Sequence, residues 1–258
     1  MNRGNSESDD QIESLRAALR AECERSRELE KRLRRAEGEI ERFVSIAAHN
    51  LRESLRDVAS FSQLFAEHRA EHLDADAHLF LERIKNGAAK MDSLLTAIVE
   101  YWAVGTGTGP PARTEMEAVL RQVVLSMDQQ ASRHGATVTH DALPAVIGDF
   151  ETLVKVLQHL INNAITYCGT GSPAIHVSSE LHDSECVLSV RDNGPGIDPA
   201  FHKRIFEPFT RLHGKEYPGN GLGLALCRKS VEHLGGRMWV SSCPGSGSTF
   251  YFSLPIAE

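Results

Sequence analysis

Hydrophobic positions recur in the first forty residues on alternating steps of three and four. Ile12, Leu15, Leu19, Glu22, Ser26, Leu29, Leu33, Ala36, Ile40, Phe43 and Ala47 form a heptad seam, broken in character only at Glu22 and Ser26. From Gln11 to about Glu41 the sequence is rich in Glu, Arg, Leu and Ala and has no proline, which favours helix. The spacing predicts a coiled coil over 11–42; a single charged surface helix is the alternative, because interleaved charges mark a solvated face. No turn signal separates the seam from Phe43-Val44-Ser45-Ile46-Ala47-Ala48, so it runs on as one helix. The stripe continues through Leu51, Leu55, Val58, Ser62 and Phe65 and loosens over Glu67 to Asp76. It then resumes with Ala77, Leu81, Ile84, Ala88, Met91, Leu95, Ile98 and Trp102. This predicts an αα-hairpin whose apolar stripes a second copy would bury as a dimeric four-helix bundle.

The segment Gly105 to Pro111, GTGTGPP, has the composition of a linker. Beyond it the pattern predicts a helix from about Glu115 to Ser132, strands near 136–140 and 145–147, and a helix capped by Asp149. Strands near 175–181 and 186–191 follow, then a short helix near 199–206, a loop through Gly221 and a helix over 222–234. Strands over 237–241 and 249–254 close on the turn Pro244-Gly245-Ser246-Gly247. Strands and helices without regular βαβ alternation predict an α/β sandwich, a sheet with helices on one face.

Composition narrows the function without naming it. With 41% apolar and 24% charged residues in 258, the chain is that of an ordinary soluble protein of one or two domains. A formal net charge of −7 gives no basic stripe, so no nucleic-acid partner is expected. No apolar run approaches the ~18 residues that span a bilayer, and the polar start MNRGNSESDD lacks a signal-peptide core. Five scattered cysteines without a C-x-x-C pair read as reduced thiols, and the expected location is cytoplasmic, away from membrane.

Three features of the second half carry candidate chemistry. Asp192-Asn193-Gly194-Pro195-Gly196 follows a strand; its glycines permit a tight turn against a flat ligand, and the carboxylate can accept from an exocyclic amine such as adenine N6. Gly219-Asn220-Gly221-Leu222-Gly223-Leu224 leads into a helix, where free N–H groups and the helix dipole favour phosphate. Asn163, on an amphipathic helix, offers an oxygen to Mg²⁺. Each alone reads equally as a structural turn, a hinge and a solvated helical residue.

Their order is more specific. Asn163 in LQHLINNAITY, then VRDNGPGI, IFEPF, GNGLGLAL and a final GSGSTF resembles the ordered boxes of the histidine-kinase ATPase domain, over about Glu115 to Pro255. That family has the Bergerat ATP-binding fold shared with DNA gyrase and the Hsp90 chaperones. The segment FVSIAAHNLRESLR, residues 43–56, resembles the phospho-acceptor box of sensor histidine kinases, in a form close to the H-D-L-R-E-P-L-R of phytochrome-type kinases. The resemblance implies a polar tail over 1–10, the coiled coil over 11–42, a dimerisation and phospho-acceptor hairpin over 43–104, a linker over 105–113 and a catalytic domain over 114–258. It implies His49 as phospho-acceptor, with Asn50 and Glu53 beside it. Asn163 would hold Mg²⁺ and Asp192, Gly194 and Gly196 the adenine. Arg211, Lys215, Gly219, Gly221, Leu222 and Gly223 would wrap the phosphates of ATP. The implied partners are a second copy, the receiver domain of a response regulator, and a sensor domain either separate or lost from the N-terminal side.

Three residues depart from the family pattern. Asn50 stands where an acidic residue usually follows the phospho-acceptor, His159 where a first Asn is usual, and Thr166 where Lys or Arg often meets phosphate. Loss of a general base costs on the order of 10²- to 10⁴-fold. A degenerate transmitter acting as a dimeric scaffold or phosphotransfer partner is therefore one alternative, and a serine kinase or ATPase of the same superfamily is another.

Overall fold

A computed structural model describes residues 4–68, 74–105, 111–169, 171–212 and 219–256. The chain divides into two units, Met1–Ser54 and Leu55–Glu258. The first is helical. It belongs to α1 (Gly4–His68), an unbroken helix that covers the predicted coiled-coil segment and runs past His49. Exposed pairs such as Arg25 with Glu22 (3.3 Å) and Arg35 with Glu39 (3.8 Å) line its surface and add only a few tenths of a kcal/mol each. Its seam residues Leu19, Leu29, Leu33, Ile40 and Phe43 are exposed in the single chain.

The second unit starts within α1 and continues in α2 (Ala75–Ala103). Asp74 starts α2: its Oδ1 accepts the N–H of Ala77 at 2.8 Å, satisfying one of the helix's orphan donors. Residues 69–73 of the predicted loop and 106–110 of the predicted linker lie outside the described residues.

The remaining elements form an α/β domain: β1 (Ala112–Glu115), α3 (Met116–His134), β2 (Thr137–His140), β3 (Ala145–Gly148), α4 (Phe150–Thr166), β4 (Ala174–Leu181) and β5 (Glu185–Asp192). Two one-turn 3-10 helices, Pro199–Phe201 and Arg204–Phe206, precede α5 (Gly223–His233), β6 (Met238–Ser242) and β7 (Ser248–Pro255). Five strands make a sheet in the order β2-β4-β5-β7-β6, parallel between β2 and β4 and antiparallel elsewhere. β1 and β3 pair separately, Ala112 opposite Gly148 through Glu115 opposite Ala145. Hydrophobic periodicity does not reveal β1: a four-residue ARTE segment has no readable alternation, and it becomes a strand because β3 offers it a ladder.

The sheet alternates as a half-buried sheet must. Ile175 and Val177 of β4, Cys186, Leu188 and Val190 of β5, and Phe250, Phe252 and Leu254 of β7 point inward. They meet the apolar faces of α3, α4 and α5, represented by Val119, Val123, Leu153, Leu157, Leu160, Cys227 and Val231. The opposite face carries Ser178 bonded to Ser189 across β4 and β5, and Trp239 stacked on Tyr251 at 5.4 Å. At the other side of the core, Lys229 of α5 reaches the last turn of α2. Its Nζ donates to the Tyr101 carbonyl at 2.7 Å and lies 4.7 and 5.3 Å from the ring centres of Tyr101 and Trp102.

Candidate functional site

The strand β5 ends on Asp192, and the turn that follows is tied to four residues outside it. Asn193 accepts the N–H of Ala174 on Oδ1 at 2.9 Å and donates to the Ser172 carbonyl at 3.1 Å. Pro195 accepts the N–H of Gly245 at 2.7 Å, and Ile197 donates its N–H to Ser242 Oγ at 2.8 Å. Ser242 in turn donates to the Gly247 carbonyl at 2.8 Å. The turn is thus clamped to the β6–β7 hairpin, and two glycines make the fit. A Cβ at Gly196, φ +75, would lie 2.0 Å from the Cys243 carbonyl oxygen; one at Gly247, φ +77, would lie 2.1 Å from that of Asp192.

Oδ1 of Asp192 accepts two backbone N–H groups, from Gly194 at 2.8 Å and Ser248 at 3.1 Å. The carboxyl lines a cleft between α4, the turn and the loop before α5, and among the described residues its second oxygen has no hydrogen-bonding partner. Burial pushes its pKa up, while the two N–H groups pull it back down. Asp192→Asn keeps both backbone bonds but replaces the free acceptor by an amide donor. Affinity for an amine-bearing base is expected to fall ~10- to 100-fold, the worth of a hydrogen bond to a charged acceptor. A raised folded-state pKa contributes stability that is lost as pH rises through it, so the ionised form is penalised in the fold at pH 7. The variant's melting temperature at pH 7 should therefore hold or rise; a fall of several degrees would make Asp192 structural.

The cleft, about 650 Å³ with its open mouth included, is lined by Asn163 and Ala164 of α4 and Tyr167 just beyond its end, by Asp192, Pro195, Gly196 and Ile197, and by Thr210, Arg211 and Leu212. Ile205, Leu224 and Phe250 give it an apolar floor. That mixture of apolar wall with a few polar groups is expected of a small-molecule site. Asn163 is half-buried, and its side-chain amide has no hydrogen-bonding partner among the described residues. Among those residues no group of three His, Cys, Asp or Glu side chains could hold a metal. A cation here would fit Mg²⁺, which takes one protein oxygen and completes its shell with water and phosphate.

At the other end α5 begins without a side-chain cap for its first N–H groups. The Asn220 side chain is spent on Leu222, whose N–H it accepts at 3.1 Å, and the first intrahelical bond is that of Leu226 to Leu222. Among the described residues the N–H groups of Gly223, Leu224 and Ala225 therefore have no partner, and such groups at a helix start favour an anion. Gly219 and Gly221 have φ of 144° and 72°, and a Cβ at Gly221 would stand 2.8 Å from the backbone of Phe209 and Thr210. Phe209 is itself strained, a 58% exposed residue at φ 62°.

Asn163, Asp192, Gly194, Gly196, Arg211, Gly219, Gly221, Leu222 and Gly223 are thus gathered around one cleft and the start of α5. Leu222, however, is 2% exposed, so its backbone and not its side chain faces the site. Lys215 lies outside the described residues. His49, Asn50 and Glu53 are exposed on α1 in the first unit. Glu53 lies one turn beyond His49 without a hydrogen bond or ion pair to it, and the Asn50 carbonyl accepts from Ser54 Oγ at 3.2 Å. Motif spacing does not single out Tyr167, Thr210 and Ser248; Tyr167 closes LQHLINNAITY and Ser248 sits in GSGSTF, where the use is of its backbone N–H.

Residues 148–258 match the family described as histidine kinase-, DNA gyrase B- and HSP90-like ATPase. Cyanobacterial phytochrome A of Nostoc is 40% identical over 225 residues, which are 87% of this chain and 29% of that protein. The chain therefore spans under a third of this curated relative's length. Among solved structures, full-length ShkA, in complex with AMPPNP, superposes with a TM-score of 0.64 at 25% identity over 83% of this chain and 45% of that one. The histidine kinase ThkA, solved with the response regulator TrrA, shares the fold at TM-score 0.57 and 22% identity, over 81% of this chain and 60% of its own. No helix of the described residues is long and apolar enough to cross a membrane. A helical N-terminal region joined to an α/β sheet domain with this cleft, and 40% identity to a phytochrome across most of the chain, place it as a phytochrome-like transmitter of the sensor histidine kinase family.

Proposed function

We propose that the chain binds MgATP in the cleft of its α/β domain, phosphorylates His49, and passes the phosphoryl group to an Asp of a response-regulator receiver. The observation that carries this is the cleft itself: a half-buried carboxylate held by two N–H groups at one end and the uncapped start of α5 at the other, with Asn163 between. Asp192 accepts from adenine N6, Asn163 offers an oxygen to Mg²⁺, and the first turn of α5 takes phosphate oxygens, with Arg211 and Lys215 as further phosphate contacts. Mg²⁺ held there by Asn163 would supply neutralisation of charge on the phosphates. A nitrogen of the His49 imidazole forms a bond to the γ-phosphorus, the bond to the bridging oxygen breaks, ADP leaves, and the imidazole loses a proton to solvent. Such a transfer is mostly positioning and charge stabilisation.

The exposed apolar residues of α1 and α2, including Leu29, Leu33, Phe43, Phe61, Phe80 and Met91, support a homodimer through a coiled coil and four-helix bundle in the cytoplasm. The same exposure lets α1 carry a signal from a sensor domain upstream or on a partner. ThkA's complex with its response regulator supports a receiver as the acceptor.

Incubation with γ-labelled ATP and Mg²⁺ should leave an acid-labile, base-stable label. ATP binding with no label would favour the scaffold reading, for which the uncharged Asn50 beside His49 is the specific observation. An acid-stable label on Ser or Thr would favour the serine-kinase reading. Asn50→Asp should raise the autophosphorylation rate by restoring a carboxylate next to the imidazole; an unchanged rate would show that the missing charge does not limit the reaction.

A further inference from the structure

The helix α2 has no basic residue in its last turn, so its final carbonyls lack a cation of their own. The α/β domain supplies one. Lys229 of α5 donates from Nζ to the Tyr101 carbonyl at 2.7 Å, with the ammonium 4.7 Å from the ring centre of Tyr101 and 5.3 Å from that of Trp102. The two rings meet edge to face at 6.2 Å, and all three residues are half-buried. Two further neighbours carry the end of α2 onto the same surface. Gly105, at φ +93, makes room for His233 of α5: a Cβ there would stand 3.0 Å from the imidazole. Burial pushes the pKa of His159 on α4 down and Glu100 pulls it up, which puts the Glu100 carboxylate near that ring.

The helix α5 thus has a contact at each end. It begins at the phosphate end of the cleft, and Lys229 lies about 9 Å along the axis from Gly223 at 1.5 Å per residue. Ala225, Leu226, Cys227, Ser230 and Val231 are buried in the core, so the helix and the cleft form one close-packed body. We propose that Lys229 is a positioning residue for phosphoryl transfer, which binds the last turn of α2 and so holds the cleft in one orientation on the helical hairpin. The inference rests on the proposed phosphorylation of His49. Lys229 is not among the residues that line the cleft, so it acts on the placement of bound ATP and not on its affinity.

The test compares autophosphorylation rates of the whole chain across ATP concentrations. Lys229→Met keeps a long unbranched side chain and removes the cation. Loss of a charge-assisted hydrogen bond and two cation–π contacts should lower kcat about tenfold or more. KM for ATP and the calorimetric affinity for a non-hydrolysable β,γ-imido analogue should stay as in the unaltered chain. Lys229→Arg, which restores a cation with its donors, should recover most of the loss. An unchanged kcat, a raised kcat, or an equal loss of nucleotide affinity overturns the proposal. Trp102→Leu removes one ring from the other side of the contact and should show the same split; it decides the matter if Lys229→Met does not fold. No label from the unaltered chain sinks the kinase activity, and the docking is then judged by Trp102 fluorescence in a Trp239→Phe background. Lys229→Met should expose Trp102 to acrylamide and Lys229→Arg should not; equal quenching in all three chains overturns the docking as well.

Discussion

His49→Ala is expected to reduce the acid-labile label from γ-labelled ATP to background while nucleotide binding stays as in the unaltered chain. Alanine has no nucleophile, so nothing at position 49 can accept the phosphoryl group. The substitution is otherwise mild. His49 is exposed on a continuous helix, and alanine is the best helix former, so the change should cost less than ~0.5 kcal/mol or stabilise α1 slightly. The residues that line the cleft lie between Asn163 and Phe250 and belong to the other unit, so calorimetric affinity for ATP serves as the internal control. Label that persists in the variant would move the acceptor to another residue.

The largest expected effect on stability is that of Gly196→Ala. Its φ of +75 costs an L residue about 1–3 kcal/mol, and its Cβ would lie 2.0 Å from the carbonyl oxygen of Cys243, an overlap with backbone that no rotamer relieves. Relief would require the turn to leave the β6–β7 hairpin, breaking the Gly245 to Pro195 bond of 2.7 Å and the Ile197 to Ser242 bond of 2.8 Å. A loss of about 3 kcal/mol or more follows, which lowers the melting temperature of a domain of this size by roughly 6–12 °C. Nucleotide binding should go with it, because Asp192 begins the same turn. Gly245→Ala is the matched control: its φ is +81, but nothing stands within 4 Å of the added methyl. It should lose only the conformational part, about 1 kcal/mol. Equal melting temperatures for the two variants would remove the steric argument.

Much of this fold is legible in residue order. Period-two alternation in AIHVSSEL and ECVLSVRD predicts β4 and β5, because one face of the sheet is buried and the other is not. Asp149 before an amphipathic run predicts the start of α4, and its Oδ2 does accept the Thr152 N–H at 2.8 Å. Long stripes without glycine pairs or proline predict helices as long as α1. These signals are local: each depends on residues within a turn or two, so each survives in the sequence alone. The spacing of the Asn163, Asp192 and Gly219–Gly223 motifs is likewise enough to mark the family.

What spacing cannot carry is any contact whose partner is distant along the chain. β1 exists only through its ladder with β3, and the parallel pairing of β2 with β4 skips β3 altogether. Gly196 looks like a flexible turn residue until the Cys243 carbonyl is found against it. No local signal marks Lys229, whose ammonium donates to the Tyr101 carbonyl 128 residues away. His159 reads in sequence as a defect in a motif. Only the tertiary structure shows its ring packed on the first residue of α5, Nδ1 3.3 Å from where a Cβ at Gly223 would stand. The order of residues determined the elements and the family, because helix and strand periods are set by near neighbours. Tertiary structure decided which backbone groups were left open and which side chain was brought to them, because that depends on how distant segments meet across the core.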